Sequence, residues 1–199
     1  MNTKKTSMRF SRIFIIAAAA ALMTSTAINA QTIRKNSSFD IQVAGTSNLH
    51  DWTMKGQSGT IEASLNLASN VNYLAGIQSL TFTLPVKNLK SGESLMDSRA
   101  CDALKADKYP NITFKLLTAT PAATQGNKTT FNVTGLLTIS GQTRQITMVA
   151  NAIKNADGSV NISGTQKMKM TDFGIKPPSF LFGALRCGHN LTIDYKVHL

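Results

Sequence analysis

A chain of 199 residues, 42% of them apolar and carrying a formal charge of +11, admits one domain or two small ones. The positive charge forms no Lys/Arg run or basic stripe, which sets nucleic acid aside as a partner. Two cysteines, Cys101 and Cys187, leave one bridge or two free thiols open, and a chain of this length can build a core without a bridge.

Residues 1–30 read as an export signal rather than as part of the fold. Lys4, Lys5, Arg9 and Arg12 form a basic start, and an apolar run from Ile13 to Met23 follows. That run is too short to cross a bilayer as a helix and fits a signal peptide cleaved after Ala27 or Ala30. Cleavage takes the charge from +11 to +7, because four basic residues and no acid leave. Residues 31–199 are expected as one domain, periplasmic or secreted, with no stable membrane anchor.

After a polar lead-in over 31–37, Phe39, Ile41 and Val43 alternate with polar residues as a first strand. Gly45 to Trp52 follows, and the chain stays polar from Met54 to Gly59. Ile61, Ala63, Leu65 and Leu67 mark a second strand. Leu80, Phe82, Leu84 and Val86 mark a third, with Pro85 pointing to an edge or bulge. Ser91 to Tyr109 breaks the period of two. Here a helix is predicted, capped by Ser94 and ended by Tyr109-Pro110. Ile112, Phe114 and Leu116 resume alternation, and a polar loop is predicted over 120–128.

Phe131 to Ala152 carries the clearest pattern. Phe131, Val133, Leu137 and Ile139 alternate with polar residues, and Ile146, Met148, Ala150 and Ala152 alternate after Gly141. A two-residue turn at Gly141-Gln142 would set Gly135 opposite Met148 and Leu137 opposite Ile146. Asp157-Gly158 turns the chain again. Val160, Ile162, Met168 and Met170 form a seventh strand, bent at Gly164. A loop with Pro177-Pro178 leads to the last strand, Leu191, Ile193, Tyr195, Val197 and Leu199. Many short strands with regular turns indicate an all-β sandwich or barrel. A closed barrel is favoured because closure removes exposed edges.

Four stretches occur in a telling order: Gly45-Thr-Ser-Asn-Leu-His-Asp-Trp52, Asp107-Lys-Tyr-Pro-Asn-Ile-Thr-Phe114, Gly135-Leu-Leu-Thr-Ile139 with Gly141-Gln-Thr-Arg144, and Met170-Thr-Asp-Phe-Gly-Ile175. In order and spacing the chain resembles the YceI-like family of exported bacterial proteins over about residues 36–199. The pattern above gives about eight strands with one inserted helix, and the resemblance implies that this eight-stranded antiparallel sheet is an extended lipocalin-like β-barrel. The resemblance also implies an apolar tunnel that holds a polyisoprenoid or similar amphipathic lipid. Family members often carry His-Ser after the first strand. Here His50-Asp51 stands at that place, so no role of the serine carries over.

The inward parities of Phe82, Leu84, Phe114, Leu116, Phe131, Val133, Met148, Met168, Met170, Ile193 and Tyr195 converge on the barrel interior, with Gly135 leaving space beside Met148. Composition alone favours a filled core; the resemblance implies a lined tunnel for an isoprenoid, quinone or other long-chain lipid. Methionines suit a lining that repacks around a flexible chain. His50 and Trp52 lie just past the first strand. His50 either donates to a polar head group at a tunnel end or is a loop histidine bonded to a backbone carbonyl. Arg144 either receives an anionic group at the rim or extends to water.

Enzyme readings are weaker. His50, His189 and His198 lack metal-ligand spacing, and no phosphate loop or GxSxG motif is present. No cofactor is expected. A secreted enzyme using Cys101 or Cys187 with a histidine, and an interaction module with a filled barrel, stand as alternatives. A homodimer is left open.

Overall fold

The computed structural model describes residues 31–35, 38–68 and 70–199; the predicted signal peptide lies outside them. Among the described residues twelve strands carry the fold: β1 (Gln31–Lys35), β2 (Ser38–Ser47), β3 (Trp52–Gly56), β4 (Thr60–Asn66), β5 (Gly76–Pro85), β6 (Leu89–Lys90), β7 (Asn111–Gln125), β8 (Lys128–Ile139), β9 (Gln142–Lys154), β10 (Val160–Lys169), β11 (Ser179–Phe180) and β12 (Leu185–His198). One helix, α1 (Ser94–Leu104), is inserted between β6 and β7. Short 3-10 turns cover Val86–Asn88, Met170–Phe173 and Leu181–Gly183.

Every pairing is antiparallel, in the order β1-β4-β5-β7-β8-β9-β10-β12-β2-β3-β6, with β11 added to β12. The sheet curls strongly. Phe39 on β2 and Phe82 on β5 are far apart along this path, yet their rings meet edge to face at 5.2 Å. The end strand β6 also follows β5 after a single 3-10 turn, so the path returns beside its own third strand. Bulges assist the bending. They interrupt the registers at Ser64/Leu65, Leu116/Thr118, Pro121/Ala123 and Cys187/Leu191.

The period of two is visible in the burial of β8, where Phe131, Val133, Gly135, Leu137 and Ile139 are buried and the residues alternating with them are open to solvent in part or in full. The hairpin turn differs from the one expected. Ser140-Gly141 makes it, with φ of 49° and 76° and with Ile139 opposite Gln142. Two successive positive φ values are the type I′ pattern, with glycine at the second central position, whereas Gly141-Gln142 would have made a type II′ turn. The register therefore moves by two: Met148 faces Val133, and Gly135 faces Ile146. An even shift leaves every side chain on its expected face.

Four other expectations are corrected. The lead-in forms β1, which pairs with β4, and the polar stretch after Trp52 forms β3 around the buried Met54. The predicted loop 120–128 is the far half of the β7–β8 hairpin, held by ladder bonds instead of burial. Helix α1 starts after Glu93, not Ser94. It ends at Leu104, because Lys105 takes the left-handed conformation well before Pro110. Ser91 instead ties down the helix start, donating from its amide and hydroxyl to Asp97 at 2.7 and 2.8 Å.

Candidate functional site

The curled sheet encloses an apolar cavity of about 410 Å³, within the roughly 300–1,000 Å³ typical of small-molecule sites. Phe82, Leu84, Phe114 and Leu116 line it from β5 and β7. Val133, Met148 and Met168 line it from β8, β9 and β10, and Met170 from the 3-10 turn that follows. Ile193 and Tyr195 line it from β12, and Trp52 and His50 from the segment before and into β3. The alternation of each strand puts these side chains on the concave face.

Phe131 and Gly135 are not in the lining. Phe131 has no exposed surface and belongs to a packed cluster with Ile61, Leu65, Leu74, Ala152 and Val160. This cluster fills one end of the barrel and forms the cavity floor. The connection between β4 and β5 lies over it. Thr129 Oγ1 donates to the Leu74 carbonyl at 3.1 Å, and Lys154 Nζ donates to the carbonyls of Ala68 and Val71 at 3.3 and 2.8 Å. Gly135 leaves no space. The Phe114 ring lies directly on it, where any side chain would collide.

The other end opens to solvent, since exposed residues line the cavity there. The exposed Leu49 and His50 lie on one side, Glu93 just before the helix with Leu95 and the half-buried Arg99 on it, and the half-buried Leu185 with the exposed Arg186 on a strap formed by residues 176–187. The strap is stitched to the 48–51 segment: the Asn48 amide donates to the Arg186 carbonyl, and the Arg186 amide donates back to Asn48 Oδ1 at 2.8 Å. Arg99 lies over the Phe180 ring at 3.8 Å, a cation–π contact joining helix and strap. Charged lining is confined to this rim. Arg99, Lys169 and Arg186 are basic, and Glu93 alone is acidic.

His50 Nδ1 lies 2.7 Å from the Asp51 carbonyl oxygen, the backbone-satisfied arrangement, while the ring still borders the mouth. Arg144 extends to the surface, where its Nε donates to the Asp172 carbonyl at 2.8 Å. Cys101 and Cys187 are free thiols. Cys187 borders the cavity, and burial pushes its thiol above the ordinary value against the pull of Arg99. Such a thiol stays protonated at neutral pH and is a weak nucleophile. Burial likewise pushes the Tyr195 phenol up to about 12. Among the described residues no group of His, Cys, Asp and Glu could hold a metal ion.

The helix face is the part the strand pattern does not reveal. Met96, Ala100, Ala103 and Leu104 cover the cavity from α1. Their spacing of four, seven and eight residues is an amphipathic stripe visible in the sequence.

No curated protein matches the chain by sequence. A family model for the YceI-like domain matches residues 20–199. Among solved structures, BcnA of Burkholderia cenocepacia is 18% identical with a TM-score of 0.65, over 81% of this chain and 96% of that one. A polyisoprenoid binding domain from Saccharophagus degradans is 10% identical with a TM-score of 0.64, over 84% and 97%. A YCEI protein from Campylobacter jejuni is 20% identical with a TM-score of 0.53, over 70% and 80%.

Proposed function

The chain belongs to the YceI-like family, and on that footing we propose that it is an exported lipid-binding protein. In this reading it holds the hydrocarbon tail of a polyisoprenoid, quinone or similar amphipathic lipid and performs no chemistry of its own. The observation that carries the reading is the cavity: apolar along its walls, closed at a packed floor, and charged only at its rim. The polyisoprenoid binding domain from Saccharophagus degradans shares the fold.

The physics of such a site is burial. Each methylene moved from water into an apolar cavity contributes about 0.8 kcal/mol, so a chain of several isoprene units binds tightly without an ion pair. The tail enters first, because the floor offers no partner for a polar head. The head stays at the rim among Arg99, Lys169, Arg186 and Glu93. Methionines at 148, 168 and 170 let the wall adjust to tails of different branching.

Mass spectrometry of gently purified protein tests the reading. A co-purifying isoprenoid, quinone or fatty amide is expected. A protein that carries none and binds no long-chain fluorescent prenyl probe overturns it. Export is tested by the amino terminus of the extracytoplasmic protein, expected near Ile28 or Gln31. Met1 on that material would contradict export by cleavage.

A further inference from the structure

Three exposed apolar side chains stand on the three segments that form the cavity mouth. Leu49 is 67% exposed and Leu95 is 61% exposed, and both border the cavity. Phe182, at the tip of the strap, is fully exposed. It is also held at a φ of 56°, a left-handed conformation that bulky residues avoid. Strain of that kind persists only where the surroundings impose it. Here Arg186 imposes it in part, donating from Nε to the Gly183 carbonyl at 2.6 Å. The remaining large exposed apolar residues, Ile33, Leu117, Val149 and Ile153, stand on β1, β7 and β9, away from this rim.

The charged lining of the mouth is mostly basic. Arg99, Lys169 and Arg186 border it against Glu93, and Lys176 lies in the strap between the lining residues Ile175 and Pro178. Asp51, Asp97 and Asp172 stand beside lining residues; Asp97 is tied to Ser91 and Lys90, and Asp172 accepts from the Lys169 amide at 3.0 Å. Apolar tips set among basic residues are the pattern of a surface that meets anionic lipid: the tips enter the acyl boundary and the cations meet the head groups.

We propose that the mouth of the cavity is a docking face for an anionic bilayer, with Phe182, Leu49 and Leu95 as its apolar contacts. The proposal rests on the lipid-binding reading for its purpose, since a docked mouth opens the cavity directly onto the acyl layer. A tail then passes from bilayer to barrel without crossing water.

The test is co-sedimentation of the purified protein with phosphatidylglycerol–phosphatidylethanolamine vesicles and with phosphatidylcholine vesicles. Alongside it, binding of a soluble fluorescent prenyl probe is measured without vesicles. Wild type is expected on the anionic vesicles, less on the neutral ones, and less at high salt. Phe182→Asn suits the left-handed backbone and is expected to weaken vesicle binding about tenfold or more, the effect of losing one buried aromatic side chain. Its probe binding is expected to match wild type, because Phe182 does not border the cavity. Ile33→Ser, an exposed apolar site on β1, is expected to change neither readout. Wild type that binds the probe but not anionic vesicles overturns the docking proposal alone. So does a Phe182→Asn protein that keeps full vesicle binding, or one whose only loss is self-association, which would make the face a contact between copies of the chain. Failure of wild type to bind the probe overturns the cavity reading separately.

Discussion

Gly135→Ala tests the packing behind the cavity wall, where the Phe114 ring covers the glycine. A Cβ at this position would sit 2.9 Å from the Lys115 carbonyl oxygen and closer still to the Phe114 ring, against an ordinary contact of 3.4–4 Å. The carbonyl is held in the ladder, where Lys115 faces Leu136, and cannot retreat. The ring can, because the cavity lies on its other side. Overpacking of this kind costs about 1–3 kcal/mol. For a domain of this size each kcal/mol lowers Tm by about 2–4 °C, so a fall of roughly 2–12 °C is expected. The displaced ring also takes volume from the cavity, so binding of a long-chain prenyl probe weakens. Phe114→Leu removes the ring, and the double variant Gly135→Ala/Phe114→Leu should be more stable than the two single losses predict. A coupling of about 0.5–3 kcal/mol is the range for residues in contact. Thermal melts and probe titrations of the four proteins complete the cycle. Additive stabilities, or a Gly135→Ala protein with unchanged probe binding, would refute the placement of Phe114 over Gly135.

Both cysteines should be alkylated by a thiol reagent in the unfolded protein without reductant. Cys101→Ser with Cys187→Ser should change stability by less than about 1 kcal/mol, whereas loss of a bridge would cost roughly 2–4 kcal/mol. Lys154→Met should loosen the floor connection at a cost of about 1–2 kcal/mol, seen as faster amide exchange at Leu74 and Ala75 with the mouth unaffected. Tyr195 gives a pH dependence. Its phenol stays protonated in the folded protein up to about 12, while the unfolded chain loses that proton near 10. Stability should therefore fall as pH climbs from about 10 toward about 12, and in Tyr195→Phe that fall should disappear from the denaturation profile.

The faces of the barrel were legible because a strand with one dry side writes a period of two. Phe82, Phe114, Val133, Met148 and Ile193 all point inward as their parity requires. The partner of each residue was not legible. Moving the turn from Gly141-Gln142 to Ser140-Gly141 preserves parity, so hydrophobicity could not separate the two registers. Strands without a buried face leave no such mark: β1 and the far half of β7 are polar stretches recruited by a neighbour's free ladder groups. Pro121 sits inside one of them because a bulge interrupts the ladder beside it. Phe131 shows the limit for the site. Its alternation equals that of Val133, and only the chain brought over it by Thr129 and Lys154 makes one residue floor and the other wall. Those contacts join residues 55 to 86 positions apart, beyond the reach of any local pattern.

The packed floor makes the barrel a gauge. A sleeve open at both ends lets a long chain thread through and grips each length alike. A sleeve with a stopped end rewards every added unit until the tail reaches Ile61 and Val133, which Phe131 and Leu74 back from behind. Each unit beyond that length is returned to water at the rim. Affinity should climb with tail length and then break sharply. The depth of that break is set far from the mouth, by one lysine and one threonine on the hairpin strands that hold the stop in place.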